Sequence, residues 1–412
     1  MELYKHQQDI VDADPKKTGL FLGTGSGKTR IALLLARGKT LVICPKTQKE
    51  DRNWEREAQK NKIHIDLTVI SKEAFRRDYA TLPRFDTVIV DEAHTCLGVT
   101  PNTRQRKKEI IPRASQLFEA LEAYLSLHRP GRLYLCTATI MRSPMTVWGA
   151  GKLLGYNWDF YQFRSTFYVK LPMPGREVYT VKKDAETKDR LAEAVKKIGF
   201  VGRLEDYFDV PDQTYKTINI PLSDKQKARI KDMRLEYPEP IVRVGKIHQI
   251  ENGVLAGDEF NEAEEFENGK IDTILELALE FPRMIVFAKY TAQIELLQKA
   301  LALAGKNVLK LTGATNDRGE VIAEANRSSE CIFIVQAQIS AGWELPEYPV
   351  MVFASRTYSF VDYDQAIGRI QRANNIKKNL YINLISGDVD KAVDMCISQK
   401  QDFNERLYVE SN

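Results

Sequence analysis

The chain is poor in the residues that build metal or disulfide frameworks: among 412 residues there are five cysteines and five histidines. Cys44, Cys96, Cys136, Cys331 and Cys396 lie far apart, with no C-x-x-C pair and no Cys/His cluster, which excludes a zinc motif and a small disulfide scaffold. Cys44, Cys136 and Cys331 fall inside apolar, strand-like runs and are expected as core thiols, in a reducing cytoplasmic setting. No apolar run approaches the roughly 20 residues of a membrane helix. The first fourteen residues are polar and charged, without the apolar stretch of a secretion signal. Net charge is scarce too. The 60 basic and 56 acidic side chains leave +4, too little to argue for nucleic acid by itself, although a basic patch fits within a near-neutral total. There is no internal repeat and no low-complexity tract. What remains, 43% hydrophobic and 28% charged, is an ordinary globular composition, long enough for more than one domain.

Short apolar runs alternate with helical patterns over the first 150 residues. Strands are expected at 19–22, 40–44, 66–70, 87–90 and 132–137, with helices such as 28–37 and 47–59 between them. A second series has strands at 284–288, 307–311, 331–335, 350–353 and 379–385, and helices at 292–304, 320–325 and 363–372. Such alternation makes a parallel sheet covered on both faces. The expected fold class is α/β, with parallel-sheet domains at 1–150 and 269–412 and a mainly helical insertion at 151–268. That insertion holds Tyr156, Trp158, Phe160, Tyr161, Phe163, Phe167 and Tyr168, which either pack a helical lobe or stack on bases. Residues 251–269 carry seven acids and no base, and read as a solvated loop.

Gly23-Thr24-Gly25-Ser26-Gly27-Lys28-Thr29 follows a short strand and opens a helix, the setting of a phosphate-binding loop. Glycines let several N–H groups turn toward one anion, and the helix adds the positive end of its dipole. Lys28 is then placed to reach the β- and γ-phosphates, and the Thr29 hydroxyl to ligate Mg²⁺. Leu22 stands where the strict pattern has one more glycine. Asp91-Glu92-Ala93-His94 follows directly on an apolar run. A buried strand ending in acids delivers them to the carboxyl edge of a parallel sheet, where the phosphate loop also lies. There Asp91 holds Mg²⁺ through water, Glu92 orients and deprotonates the attacking water, and His94 reports nucleotide state. In the second series, Arg369 and Arg372 within Gln365-Ala366-Ile367-Gly368-Arg369-Ile370-Gln371-Arg372 are three apart and share a face of the expected helix. Two arginines arriving from another domain supply charge to a transferring phosphoryl group only when the cleft closes.

In this order the motifs resemble those of superfamily-2 helicases and translocases, which contain two RecA-like domains. Tyr4-Lys5-His6-Gln7 is similar to the adenine-recognition segment, which implies Gln7 on the base. Leu41-Val42-Ile43-Cys44-Pro45-Lys46 followed by Trp54-Glu55-Arg56-Glu57 resembles motif Ia, and Val69-Ile70-Ser71-Lys72-Glu73 resembles motif Ib. Thr137-Ala138-Thr139 is similar to motif III, and Ile285-Val286-Phe287-Ala288-Lys289-Tyr290 to motif IV. Gln338-Ile339-Ser340-Ala341-Gly342-Trp343-Glu344-Leu345 is similar to motif V. The passage 200–230, with the Trp54 segment, resembles the Swi/Snf-like branch, whose compact members occur in phages and bacteria. The resemblance implies ATP and Mg²⁺ as cofactors. It implies Lys28, Asp91, Glu92, Arg369 and Arg372 as catalytic residues, Thr29 and Asp91 as metal ligands, and Gln7, Gly23, Thr24, Gly25, Ser26, Gly27, Lys28, Thr29 and Glu344 on the nucleotide. His94, Thr137, Thr139 and Gln365 would couple hydrolysis to movement.

The same resemblance places a nucleic-acid track on Lys46, Ser71, Lys72, Gln338 and Ser340, where backbone contacts bind any sequence. The tract 102–113 adds Arg104, Arg106, Lys107, Lys108 and Arg113 against Glu109. It reads either as a flexible solvated loop or as a duplex or branch contact that releases counterions. Trp343 either touches a base or packs. The expected function is an ATP-dependent translocase or helicase on double-stranded, forked or branched DNA, in replication, recombination or repair, with no membrane partner and as a monomer. An RNA helicase and a non-motor ATPase switch are the alternatives.

Overall fold

The computed structural model describes residues 2–106, 109–172, 177–257, 262–339, 343–370, 377–400 and 402–403. The chain divides into two compact units, Met1–Phe208 and Asp209–Asn412. The strands of the first are β1 (Lys17–Leu22), β2 (Thr40–Cys44), β3 (Leu67–Ser71), β4 (Thr87–Val90), β5 (Val99–Arg106), β6 (Glu109–Ala114), β7 (Arg132–Cys136), β8 (Tyr168–Leu171), β9 (Val178–Val181) and β10 (Gly199–Gly202). Six form one parallel sheet in the order β10-β1-β7-β4-β2-β3. Alternating side chains along these buried strands feed two cores. Leu41, Ile43, Val88, Val90, Leu133 and Leu135 face one, with Phe118 and Leu121 of the helix Gln116–His128. Leu20, Leu22, Val42, Cys44, Ile89, Tyr134 and Cys136 face the other, with the helix Lys28–Leu35.

The five strands read from sequence are present with ends shifted by a residue or two. Three features differ. The edge strand β10 reads only as Gly-Phe-Val-Gly, too short to show a period. The basic tract is an antiparallel ribbon, β5 paired with β6. The expected helix 47–59 is broken into Lys46–Glu50 and Asn53–Lys60, with Arg52 between them in the left-handed region at φ 52°. Most of the aromatic group is core: Phe160, Phe163, Phe167 and Tyr168 are buried with Trp148 and the half-buried Trp158, whereas Tyr156 and Tyr161 are exposed.

The second unit holds β11 (Thr214–Asn219), β12 (Val254–Leu255), β13 (Glu264–Glu265), β14 (Arg283–Ala288), β15 (Val308–Leu311), β16 (Cys331–Gln336), β17 (Val350–Phe353) and β18 (Leu380–Ile385). Its parallel sheet runs β11-β18-β17-β14-β16-β15. It too is sandwiched between two cores, one with Ile285, Phe287, Phe333 and Val335, the other with Met284, Val286, Ile332 and Ile334. Both units are thus parallel-sheet α/β folds, consistent with tandem RecA-like domains. Trp343 packs against Phe287 and Phe333 and donates its indole N–H to the Ile339 carbonyl at 2.8 Å, so it belongs to the core.

The segment 151–268 is shared between the units, since the division falls after Phe208. Its acidic end is only in part the solvated loop that composition suggests: Glu262, Glu265 and Glu267 are exposed, while 258–261 lie outside the described residues. Glu251 closes the helix Pro240–Glu251 and is 2% exposed, β12 pairs with β13, and Phe266 and Asn268 are buried. The anchor is a polar network inside the second unit. The Lys270 ammonium donates to Asp390 Oδ2 at 2.5 Å, Asn252 Oδ1 at 2.7 Å and the Ala354 carbonyl at 2.7 Å. His248 Nε2 lies 3.2 Å from Asp390 Oδ1, while Tyr290 and Tyr358 hydroxyls approach His248 Nδ1 at 2.7 and 3.1 Å. An Nε2–H donor and an Nδ1 acceptor satisfy all of these contacts with a neutral ring. Burial holds the His248 pKa down, in keeping with that assignment. Glu251 accepts the backbone N–H groups of Val389 and Asp390 at 3.2 and 2.8 Å, capping the helix Gly387–Ser398. Among the described residues no helix is long and apolar enough to cross a membrane.

Candidate active site

The phosphate-loop sequence spans the end of β1 and the start of the helix Lys28–Leu35. Gly25 and Gly27 lie in the left-handed region at φ 84° and 86°. The positive φ favours glycine at 27, and a Cβ there would also push the tip of the Gln7 side chain aside. Gln7 and His6, on the helix Lys5–Asp12, both point at the Ser26 carbonyl: Gln7 Nε2 donates at 3.1 Å and His6 Nε2 lies at 3.0 Å. The other end of the Gln7 amide accepts the Tyr4 N–H at 3.3 Å. His6 stacks on Tyr207 with centroids 4.0 Å apart, and Gly23 N–H donates to the Gly202 carbonyl at 2.8 Å. The loop is therefore braced by the N-terminal helix and by the chain that leaves β10. Lys28 Nζ donates to the Leu22 and Gly23 carbonyls at 2.7 and 3.1 Å, and the Ser26 hydroxyl to the Gly23 carbonyl at 2.9 Å.

Asp91 and Glu92 lie at the carboxyl end of β4, separated from β1 by β7 alone. Every strand is parallel, so their ends meet at one sheet edge. Cys136, closing β7, lies within electrostatic reach of Asp91, Lys28 and Glu92 together. Asp91 Oδ2 accepts the Trp54 indole N–H at 3.3 Å, and Oδ1 accepts the Glu92 N–H at 2.9 Å. Burial, and after it the Glu92 charge, push Asp91 up to about 6, while Lys72 and Lys28 pull it back. Glu92 is a non-glycine residue at φ 42°, a conformation that costs energy and aims its side chain inward. His94 Nδ1 lies 2.8 Å from the Thr137 hydroxyl and 3.4 Å from Glu92 Oε2, and Thr139 N–H donates to the Thr137 hydroxyl at 3.2 Å. His94, Thr137 and Thr139 are thus one hydrogen-bonded group against Glu92.

This edge fits a nucleotide with its magnesium ion on three counts. The loop turns through two left-handed glycines, Lys28 and two carboxylates share the edge, and Glu92 Oε2 and Thr139 Oγ1 are buried without a hydrogen-bond partner. Lys28 and the loop N–H groups would hold the phosphates, Thr29 and Asp91 the metal, and Gln7 the base. The metal would neutralise phosphate charge; Glu92, with a buried oxygen that makes no hydrogen bond, can accept a proton from water.

Other site residues fall differently from expectation. Lys72 is buried, its ammonium donating to the Glu92 carbonyl at 2.8 Å and the Thr95 hydroxyl at 2.6 Å, so it supports the Asp91–Glu92 turn from below. The Ser71 hydroxyl caps the helix Lys72–Asp78 by accepting the Ala74 N–H. Lys46 is exposed and pairs with Glu50 at 3.5 Å. Arg104 pairs with Glu119. Gln338 is exposed beside the Lys289 carbonyl, and the Glu344 carbonyl accepts from Asn326 Nδ2 at 3.2 Å. The expected helix 363–372 runs instead over Phe360–Ile367 and stops at Gly368, a residue that ends helices readily. Gln365 is buried on it, while Arg369 sits in the following turn, its carbonyl accepting the Leu345 N–H at 3.3 Å. Arg369 therefore lies beyond the end of this helix. Lys107, Lys108, Ser340 and Arg372 lie outside the described residues, as do the side-chain surroundings of Arg106.

Sequence reasoning missed His6 and Tyr207 on the phosphate loop, the Trp54–Asp91 hydrogen bond and the support from Lys72. His6 adjoins Gln7 and had a signal in that adjacency. Tyr207 had none, because its contact spans two hundred residues.

No curated protein matches the chain. Residues 269–374 match the family described as helicase conserved C-terminal domain. With a parallel-sheet unit on either side of residue 209, that match supports a nucleic-acid helicase or translocase of the superfamily 1 or 2 type, with the ATP use that such a domain implies.

Proposed function

We propose that this protein is an ATP-driven translocase or helicase on double-stranded or branched DNA, of the Swi/Snf-like kind, serving replication, recombination or repair. The observation that carries the ATPase part is the convergence at one sheet edge of Lys28, Asp91 and the Glu92 oxygen that makes no hydrogen bond. Lys28 binds the phosphates, Asp91 the magnesium ion, and Glu92 takes the proton of the attacking water. The His94–Thr137–Thr139 group senses that chemistry through Glu92. Arg369 and Arg372 carry the charge of the departing phosphate, as the resemblance implies. Among the described track residues, Lys46 and Gln338 are exposed and meet phosphates.

The test is ATP turnover with duplex DNA, single-stranded DNA, forks, four-way junctions and RNA. Stimulation by duplex or branched DNA is expected, and stimulation by RNA alone would replace the DNA reading with an RNA helicase. Displacement of a third strand from a triplex separates a motor from a static ATPase switch. Glu92→Gln should retain ATP binding while turnover falls by roughly 10²-fold or more, the scale of a lost general base. Near-normal turnover would mean that Glu92 is not the base.

A further inference from the structure

We infer that the β5–β6 ribbon is an arm that enters the major groove of B-form DNA. This rests on the proposal that the chain acts on DNA. The ribbon is rigid at its root. Val99 is buried in the core, Ser115 N–H donates to the Gly98 carbonyl at 2.7 Å, and the Thr100 hydroxyl donates to the Arg113 carbonyl at 3.2 Å. Arg164 donates to the Pro101 carbonyl at 3.0 Å, and Arg104 pairs with Glu119 on the neighbouring helix. These contacts fix the direction of the arm.

Beyond an irregularity between Val99 and Thr103, four cross-strand pairs follow: Thr103↔Pro112, Arg104↔Ile111, Gln105↔Ile110 and Arg106↔Glu109. At about 3.4 Å per residue they reach roughly 10 Å. The major groove is about 8.5 Å deep and 12 Å wide and admits a two-stranded ribbon. The pair Gln105–Ile110 is exposed, and Ile110 is 66% exposed. An isoleucine so far out contributes nothing to the core. In a major groove it can meet thymine methyl groups, and Gln105 can meet an adenine edge. Pro112 removes a backbone donor from the ribbon edge, which blunts pairing with a second chain.

The charge and composition choose the partner. The sequence places net +4 in 102–113, with Arg113 exposed, as phosphate binding requires. Residues 99–114 contain no aromatic side chain, so the ribbon lacks the stacking platforms that hold single strands. A-form RNA has a major groove too narrow for side chains to read. B-form DNA is the duplex that fits.

The test uses the full chain with residues 103–112 replaced by Asn-Gly, and a second variant, Gln105→Ala with Ile110→Ser, at exposed positions where folding is not at stake. Binding is measured for DNA duplex, RNA duplex and single-stranded DNA of equal length, with the salt slope between ~50 and ~200 mM. Shortening should weaken DNA-duplex binding tenfold or more, leave single-strand binding within twofold and abolish the preference for DNA over RNA duplex. The double substitution should cost roughly fivefold on the DNA duplex. For every phosphate that the shortened arm no longer neutralises, the salt slope should flatten by about 0.9. Unchanged DNA-duplex affinity in both variants, or parallel loss on all three nucleic acids, overturns the arm. A wild-type chain that binds no DNA overturns the motor proposal instead. If the shortened chain does not fold, as melting would reveal, the double substitution decides.

Discussion

Lys270→Met should be among the most destabilising single substitutions in the second unit. The Lys270 side chain is 1% exposed, and all three of its ammonium hydrogens have acceptors: Asp390 Oδ2, Asn252 Oδ1 and the Ala354 carbonyl. Asp390 is held well below the usual carboxylate range, with the charge of Lys270 the strongest force overcoming its burial. Methionine fills the volume but strands that carboxylate. Breaking a buried pair by removing one partner costs about 3–5 kcal/mol. At about 2–4 °C per kcal/mol for a unit of this size, the melting temperature should fall by roughly 6–20 °C. Asp390→Asn in the same chain removes the stranded charge while keeping one carbonyl oxygen that can accept from either His248 Nε2–H or the Ser386 N–H. The double variant should therefore recover about half the loss. Calorimetry of the intact chain measures both. A fall below about 2 °C for Lys270→Met, or a double variant as unstable as the sum of its singles, would refute the claim that this ion pair fastens the helix Gly269–Glu280 to the helix Gly387–Ser398.

The fastening has a consequence for fragments. A fragment of residues 209–412 should fold, and one of 269–412 should not, because it lacks β11, His248, Glu251 and Asn252; circular dichroism of both checks this. Glu251 titrates at about 8 in the fold because burial, and then the Asp390 charge, raise it. The folded chain therefore keeps a proton that the unfolded chain gives up. That stabilisation is full below about pH 4.5 and is lost as pH rises to about 8. Glu251→Gln should flatten this decline in melts across that range, and an unaltered decline would assign it to another group. Gly27→Ala should abolish ATP binding, because alanine must adopt φ 86° and push its Cβ into Gln7. Wild-type affinity in a nucleotide titration would show that the loop tolerates another shape.

The fold class was legible because both sheets are buried on two faces. Runs such as 41–44 and 331–335 are apolar throughout and cannot belong anywhere else. The phosphate loop was legible because its chemistry is local: glycines, lysine and threonine within seven residues. The acids after β4 were legible because a strand end and its following residues are neighbours in sequence and in space. Two of the four edge strands of these sheets, β10 and β11, were not. β10 and β11 have one paired neighbour and little apolar content, so only the pairings Gly19↔Gly199 and Thr214↔Leu380 define them. The basic tract carried its charge openly but not its shape, since a ribbon exists only once Thr103 meets Pro112.

The resemblance gave Lys72 to a phosphate track, and composition gave residues 251–269 to solvent. Tertiary structure buried Lys72 beneath Glu92 and Glu251 against a helix end, where each found partners distant in the chain. Sequence by itself determined what is bonded locally: which runs must be covered, and where an anion can be wrapped by adjacent N–H groups. Only the folded chain decided which charged side chains leave water. That choice depends on whether a distant partner can repay the desolvation, and no window of sequence contains both halves of the pair.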